Sequence, residues 1–173
     1  MEDLQGEMLS LYEICREIFS ESKKNGRTEK IEILPFEEHE YAVLGSSEIP
    51  EKFRRKNGKH LPFTVTGKSV FWRGHFVYSE PFYIFVPERI EKRFRRHKAF
   101  HECVEAYTGD CVKATLMEFR AVSVMGEDFL RDYTEGWIEE NEEWLKKSVK
   151  SQRGFLGHLP HTSQAILKRH GYL

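Results

Sequence analysis

Phe82-Tyr83-Ile84-Phe85-Val86, then Pro87, then Phe94, His97, Phe100-His101-Glu102-Cys103-Val104-Glu105 and finally Thr108-Gly109: this stretch decides the fold. Its first five residues are aromatic and β-branched, the chemistry of a strand. Proline is favoured at the first position of a helix, so the sequence predicts a helix from Pro87 to about Thr108, stopped by Gly109. Working upstream, short β-rich runs cover 30–36, 41–44, 63–66 and 70–78. Turn chemistry such as Gly45-Ser46-Ser47 and Lys56-Asn57-Gly58-Lys59 separates them. Together they predict a small, mainly antiparallel sheet. Before it, Leu4, Met8, Leu11, Cys15 and Ile18 recur at steps of three and four, an amphipathic helix to about Lys24 that stops at Asn25-Gly26.

Downstream the texture is helical. Asp110 can cap a helix over 111–125, and a further helix is expected over 127–150 with Gly136 as a break. Residues 151–161 read as a loop, after which Thr162 could cap a short last helix. The expectation is an α+β fold in a single domain, 1–173: an N-terminal helix, a sheet, then a helical C-terminal half.

A chain of 173 residues can bury a core without staples. Its 27 Lys and Arg against 28 Asp and Glu leave a net charge of −1, so any attraction to nucleic acid or membrane would need a local patch. The only side-chain amides are Asn25, Asn57, Asn141, Gln5, Gln152 and Gln164, a sparsity associated with heat-adapted proteins. Cys15, Cys103 and Cys111 contain no C-x-x-C spacing and read as reduced thiols, which points to a cytoplasmic setting. The acidic Met1-Glu2-Asp3-Leu4 start is not a signal peptide, and no apolar run is long enough to span a membrane.

The central helix carries the chemistry. At about 100° per residue, Ile90, Phe94, Phe100, Val104 and Tyr107 share a face that includes His97 and His101, with Glu105 at its edge. Glu88, Lys92, Arg95 and Glu102 are expected to turn mostly the other way. Residues four apart stand one above the other, so a metal could use His101 with Glu105, or His97 with His101. In the first pairing Glu102 directly follows a ligand, where a general base is wanted. The plain alternative is an i,i+4 imidazole–carboxylate hydrogen bond. On the next helix Glu118 falls on the apolar side with Ala114, Ala121, Val122 and Met125, and there it needs a partner: an arginine, a hydrogen-bond network or a metal.

The run His101-Glu102-Cys103-Val104-Glu105, with Gly109 and the later Glu118, resembles the zincin-like metallopeptidases of the glutamate-ligand type. The resemblance implies a sheet followed by an H-E-x-x-H helix and a second helix that supplies a glutamate. It implies His101 and Glu118 as ligands of a divalent metal, zinc foremost, Glu102 as the base, and a peptide or protein substrate. Glu105 stands where the family has its second histidine, and adds negative charge.

Two further clusters carry competing readings. Arg54 and Arg55, with Arg93 and Arg96, form basic runs near aromatic residues, the pattern of a non-catalytic protein that contacts nucleic acid. His158-Leu159-Pro160-His161 is an H-x-x-H pair that could bind metal but has no cysteine nearby. Tyr133, Trp137 and Trp144 read as core or as an interhelix seam. Phosphate-loop, dinucleotide-binding and nucleophile-elbow motifs do not occur.

Overall fold

The computed structural model describes residues 2–53, 60–72 and 74–173, with side chains described from residue 10 onward apart from those at 71, 72 and 75. The chain divides into two compact units, Met1–Cys111 and Val112–Leu173.

In the first unit the apolar run becomes the central strand, β6 (Phe82–Pro87). It pairs in parallel with β2 (Glu40–Leu44), Tyr41 opposite Ile84 and Leu44 opposite Pro87. On its other edge it pairs antiparallel with β3 (Phe63–Thr66), Phe63 opposite Phe85. β1 (Thr28–Lys30) adds antiparallel to β2, giving the order β1-β2-β6-β3. A separate hairpin joins β4 (Ser69–Trp72) to β5 (His75–Tyr78). It turns at Gly74, whose φ of 86° disfavours any residue with a Cβ.

β6 lacks an apolar–polar alternation because both of its faces are covered. On one side Phe85, with Ala42, Leu44, Phe63 and Val65, packs against Cys15, Leu11, Tyr12, Ile18 and Phe19 of α1 (Glu2–Lys24). The alternate residues face α2 (Lys92–Thr108): Thr64 reaches Glu102, and the Phe82 ring lies 5.3 Å from Tyr107. The sheet is thus held between two helices. Leu11, Cys15 and Ile18 line the expected face of α1, while the side chains of Leu4 and Met8 lie outside the described residues.

The second unit is helical, with α3 (Cys111–Ser123), α4 (Glu127–Lys147) and α5 (His161–Arg169). The Phe119 ring sits edge-on to Tyr133 and Trp137 at 5.8 and 5.6 Å, within a core that includes Leu130, Leu156 and Leu167. Trp144 is partly exposed and packs on Phe155 instead.

The α+β class and the order of elements agree with the sequence. Several boundaries differ. α2 starts at Lys92, because Pro87 is used to close β6 and the Glu88 N–H bonds the Leu44 carbonyl at 2.8 Å. The expected strand over 30–36 retains only Lys30, and beyond it Phe36 folds back to the Ile33 carbonyl at 2.8 Å around Pro35. The run 70–78 is two strands, not one. Gly136 lies inside α4 without breaking it, and α5 opens one residue before Thr162, whose hydroxyl donates to Glu127. None of the described helices is long and apolar enough to cross a membrane.

Candidate metal centre

α2 is buried on two sides, with Phe94, His97, Ala99, Phe100, Cys103, Val104 and Ala106 all shielded. That is the consequence of packing against β3, β5 and β6 at once. It alters the expected orientation of one residue. Glu102 does not turn to solvent: it is half-buried, and its carboxylate accepts a hydrogen bond from Thr64 Oγ1 at 3.1 Å. Tyr107, expected on the core face, is 38% exposed.

The C-terminus of α2 builds the cluster. Gly109 adopts a left-handed conformation, φ 65° and ψ 17°, and its N–H caps the Glu105 carbonyl at 2.7 Å. Thr108 Oγ1 donates to the Val104 carbonyl at 2.7 Å and accepts from the Asp110 N–H at 3.3 Å. The chain reverses here, and Cys111 comes back beside the last turns of α2. His101 Nε2 lies 3.3 Å from Glu105 Oε2 and 3.8 Å from Cys111 Sγ. The donor atoms of the three residues all fall within 4.8 Å of one another.

Those separations can be compared with a zinc site. Bonds of about 2.0–2.2 Å to N or O and about 2.3 Å to S, at tetrahedral angles, put N and O about 3.4 Å apart and N and S about 3.6 Å apart. The observed distances lie close to both edges. An imidazole, a carboxylate and a thiolate suit zinc better than magnesium or calcium, which prefer all-oxygen sites. The His101 side chain is 16% exposed and that of Glu105 43%, and Cys111 is exposed, so the group opens to water on the glutamate and cysteine sides. Without a metal, the same geometry serves as an i,i+4 imidazole–carboxylate pair.

Tyr78 on β5 adjoins this face. Burial raises its pKa first, and the Glu102 and Glu105 carboxylates raise it further. The phenol therefore stays neutral, as a donor, and both glutamates bear on the same ring.

The remaining candidates lie as follows. His97 is buried one turn before His101, and the ligand group found among the described residues does not include it. Glu118 belongs to the second unit, where it is 1% exposed and accepts a hydrogen bond from the Tyr133 hydroxyl. Arg93 Nε bonds Glu91 at 2.8 Å and its guanidinium lies 4.5 Å over the Phe94 ring, while Arg96 bears on the buried Tyr41. Arg54 and Arg55 lie outside the described residues. Sequence reasoning missed Cys111 as a donor. The available signal was the Gly109 stop, which returns the chain within two residues of the helix end. No protein-family model, curated protein or solved structure matches this chain significantly.

Proposed function

We propose that the chain binds one divalent metal of the zinc class through His101, Glu105 and Cys111 and acts as a hydrolase of amide bonds in peptide or protein substrates. The observation that carries this reading is the convergence of three donors, with His101 Nε2 3.3 Å from Glu105 Oε2 and 3.8 Å from Cys111 Sγ and all three within 4.8 Å of one another. Three protein ligands with one open position is the arrangement of catalytic rather than structural zinc. When bound, such an ion polarises a carbonyl and acidifies water. In this reading Glu102, next in sequence to His101 and hydrogen-bonded by Thr64, accepts the proton of the attacking water. Tyr78 is a neutral phenol on the same face, suited to donate to the oxygen on which charge develops. The H-E-x-x-E resemblance to zincin-like peptidases supports the same roles for His101 and Glu102, with Cys111 as the additional donor.

The test is elemental analysis of tag-free protein, followed by an amide-hydrolysis screen with a quenched peptide library. Wild type should carry about one metal per chain. His101→Ala and Cys111→Ser should lose it, and Glu102→Gln should retain it while hydrolysis disappears. Metal-free wild type, with His101→Ala merely less stable, would reduce His101 and Glu105 to packing partners and end the hydrolase reading.

A further inference from the structure

The second unit contains a cleft of about 520 Å³ whose polar lining is cationic or neutral: Arg120 and Ser123 from α3, and His158 and His161. Leu116 and Leu159 supply apolar wall, and among the described residues no carboxylate lines it. The two histidines are brought together by backbone geometry. Leu159 (φ −69°, ψ 163°) and Pro160 (φ −53°, ψ 148°) are both extended in the polyproline manner. This two-residue extended link joins the helical turn that ends at His158 to the helix that starts at His161, and both histidines line the cleft. Leu159 is 3% exposed and anchors the segment.

Arg120 makes no ion pair among the described residues, and Ser123 spends its hydroxyl proton on the Arg120 carbonyl at 2.7 Å. Glu127, the carboxylate held by Thr162 at the start of α5, is not part of the lining. The cleft therefore gathers a guanidinium and two imidazoles with no anion among the described residues to balance them. A metal ion is the wrong occupant for His158 and His161: a fixed positive charge shares the site, and no third donor joins them among the described residues.

We infer that this cleft binds the phosphate of a small phosphate monoester. Arg120 grips the phosphate bidentately, His158 and His161 donate to it, and the organic part lies against Leu116. The volume falls within the range of about 300–1,000 Å³ typical of small-molecule sites, and exceeds what a bare phosphate fills. The site is independent of the proposed metal centre.

Phenyl phosphate is the probe, followed through the imidazole resonances of His158 and His161 with the melting temperature recorded alongside. Saturable shifts are expected, with affinity at least about tenfold weaker in Arg120→Ala, a loss of roughly 1.4 kcal/mol. Arg120 is exposed, so this variant should melt with wild type and carries the test alone if His158→Gln and His161→Gln unfold. Inorganic phosphate should bind more weakly, lacking the apolar part, and benzoate more weakly still. Absence of saturation up to about 10 mM, or affinity unchanged in Arg120→Ala, would overturn the inference. So would benzoate binding as tightly as phenyl phosphate. Zinc bound by His101→Ala protein and lost on adding His158→Gln would overturn it in favour of a metal.

Discussion

Glu105 and Glu118 look alike in sequence, each a carboxylate on the inward side of a helix, yet the two units treat them in opposite ways. Glu105 keeps a side chain 43% exposed, with an imidazole at 3.3 Å and a thiol beyond it. Glu118 is 1% exposed and held by a tyrosine hydroxyl that is itself fully enclosed. A buried carboxylate must have its partner supplied by the fold, because water cannot provide one. A half-exposed carboxylate can leave its partner and take a ligand at little cost. The contrast teaches that an inward-pointing acid is evidence of a partner, and that its exposure decides whether the partner is exchangeable.

The largest effect expected from this contrast is on metal affinity. Cys111→Ser should weaken binding by more than about a hundredfold, beyond the 10–100-fold that outer-shell partners are worth. Glu118→Gln should leave stoichiometry and affinity unchanged. Isothermal titration with zinc on both variants decides between Cys111 and Glu118 as the third donor. Retention in Cys111→Ser with loss in Glu118→Gln would move the site to the second helix.

On stability the order reverses. Glu118→Ala removes buried volume and leaves the Tyr133 hydroxyl without its acceptor, which should cost about 3 kcal/mol in urea unfolding. Tyr133→Phe, which strips one donor from the carboxylate, should cost about 1–3 kcal/mol. Glu105→Gln should change stability by less than about 0.5 kcal/mol, as exposed pairs usually do.

How much of this was legible follows from which interactions are local. The α2 stop at Gly109 and the α1 stop at Asn25-Gly26 are set by residues adjacent in sequence, and both were readable. The start of α2 was not, because Pro87 suits a helix start and a strand end equally well, and only the parallel pairing with Leu44 decides. A single helical face predicts Glu102 outward, whereas α2 packs against three strands and leaves Glu102 beside Thr64. In the candidate centre, His101 and Glu105 are four apart on one helix and came from spacing alone. Cys111 needed the left-handed turn at Gly109 to bring it back, a geometry that spacing rules within a helix do not contain.

The cysteines repeat the contrast between exposed and buried groups, and alkaline pH reads it out. Burial pushes the thiol of Cys15 up to about 11 and that of Cys103 up to about 12, with Glu80 adding to the second. An acid whose pKa is raised by folding contributes stability that is complete below its unfolded value, about 9, and lost as pH rises towards the folded one. Urea unfolding at pH 10.5 should therefore show Cys103 alone costing about 2 kcal/mol relative to pH 7.5. Cys103→Ala should narrow that difference, and an unchanged difference would show the thiolate to be tolerated in place. At neutral pH a thiol reagent should modify Cys111, the exposed cysteine, and zinc should protect it.

The smallest effect isolates the turn itself. Gly109→Ala keeps every donor but asks a residue with a Cβ to hold φ 65°, at a cost of about 1 kcal/mol. If the turn relaxes to avoid that strain, Cys111 moves away from His101, and zinc affinity should fall by about tenfold although no ligand has changed. The pair within the helix, His101 and Glu105, would be untouched. Glu118 provides the control, because its tyrosine partner does not depend on this turn. Comparing zinc affinity with urea stability for the one variant therefore separates two possibilities. A drop in affinity larger than the drop in stability means that Gly109 positions a ligand, whereas equal losses mean that it only ends a helix.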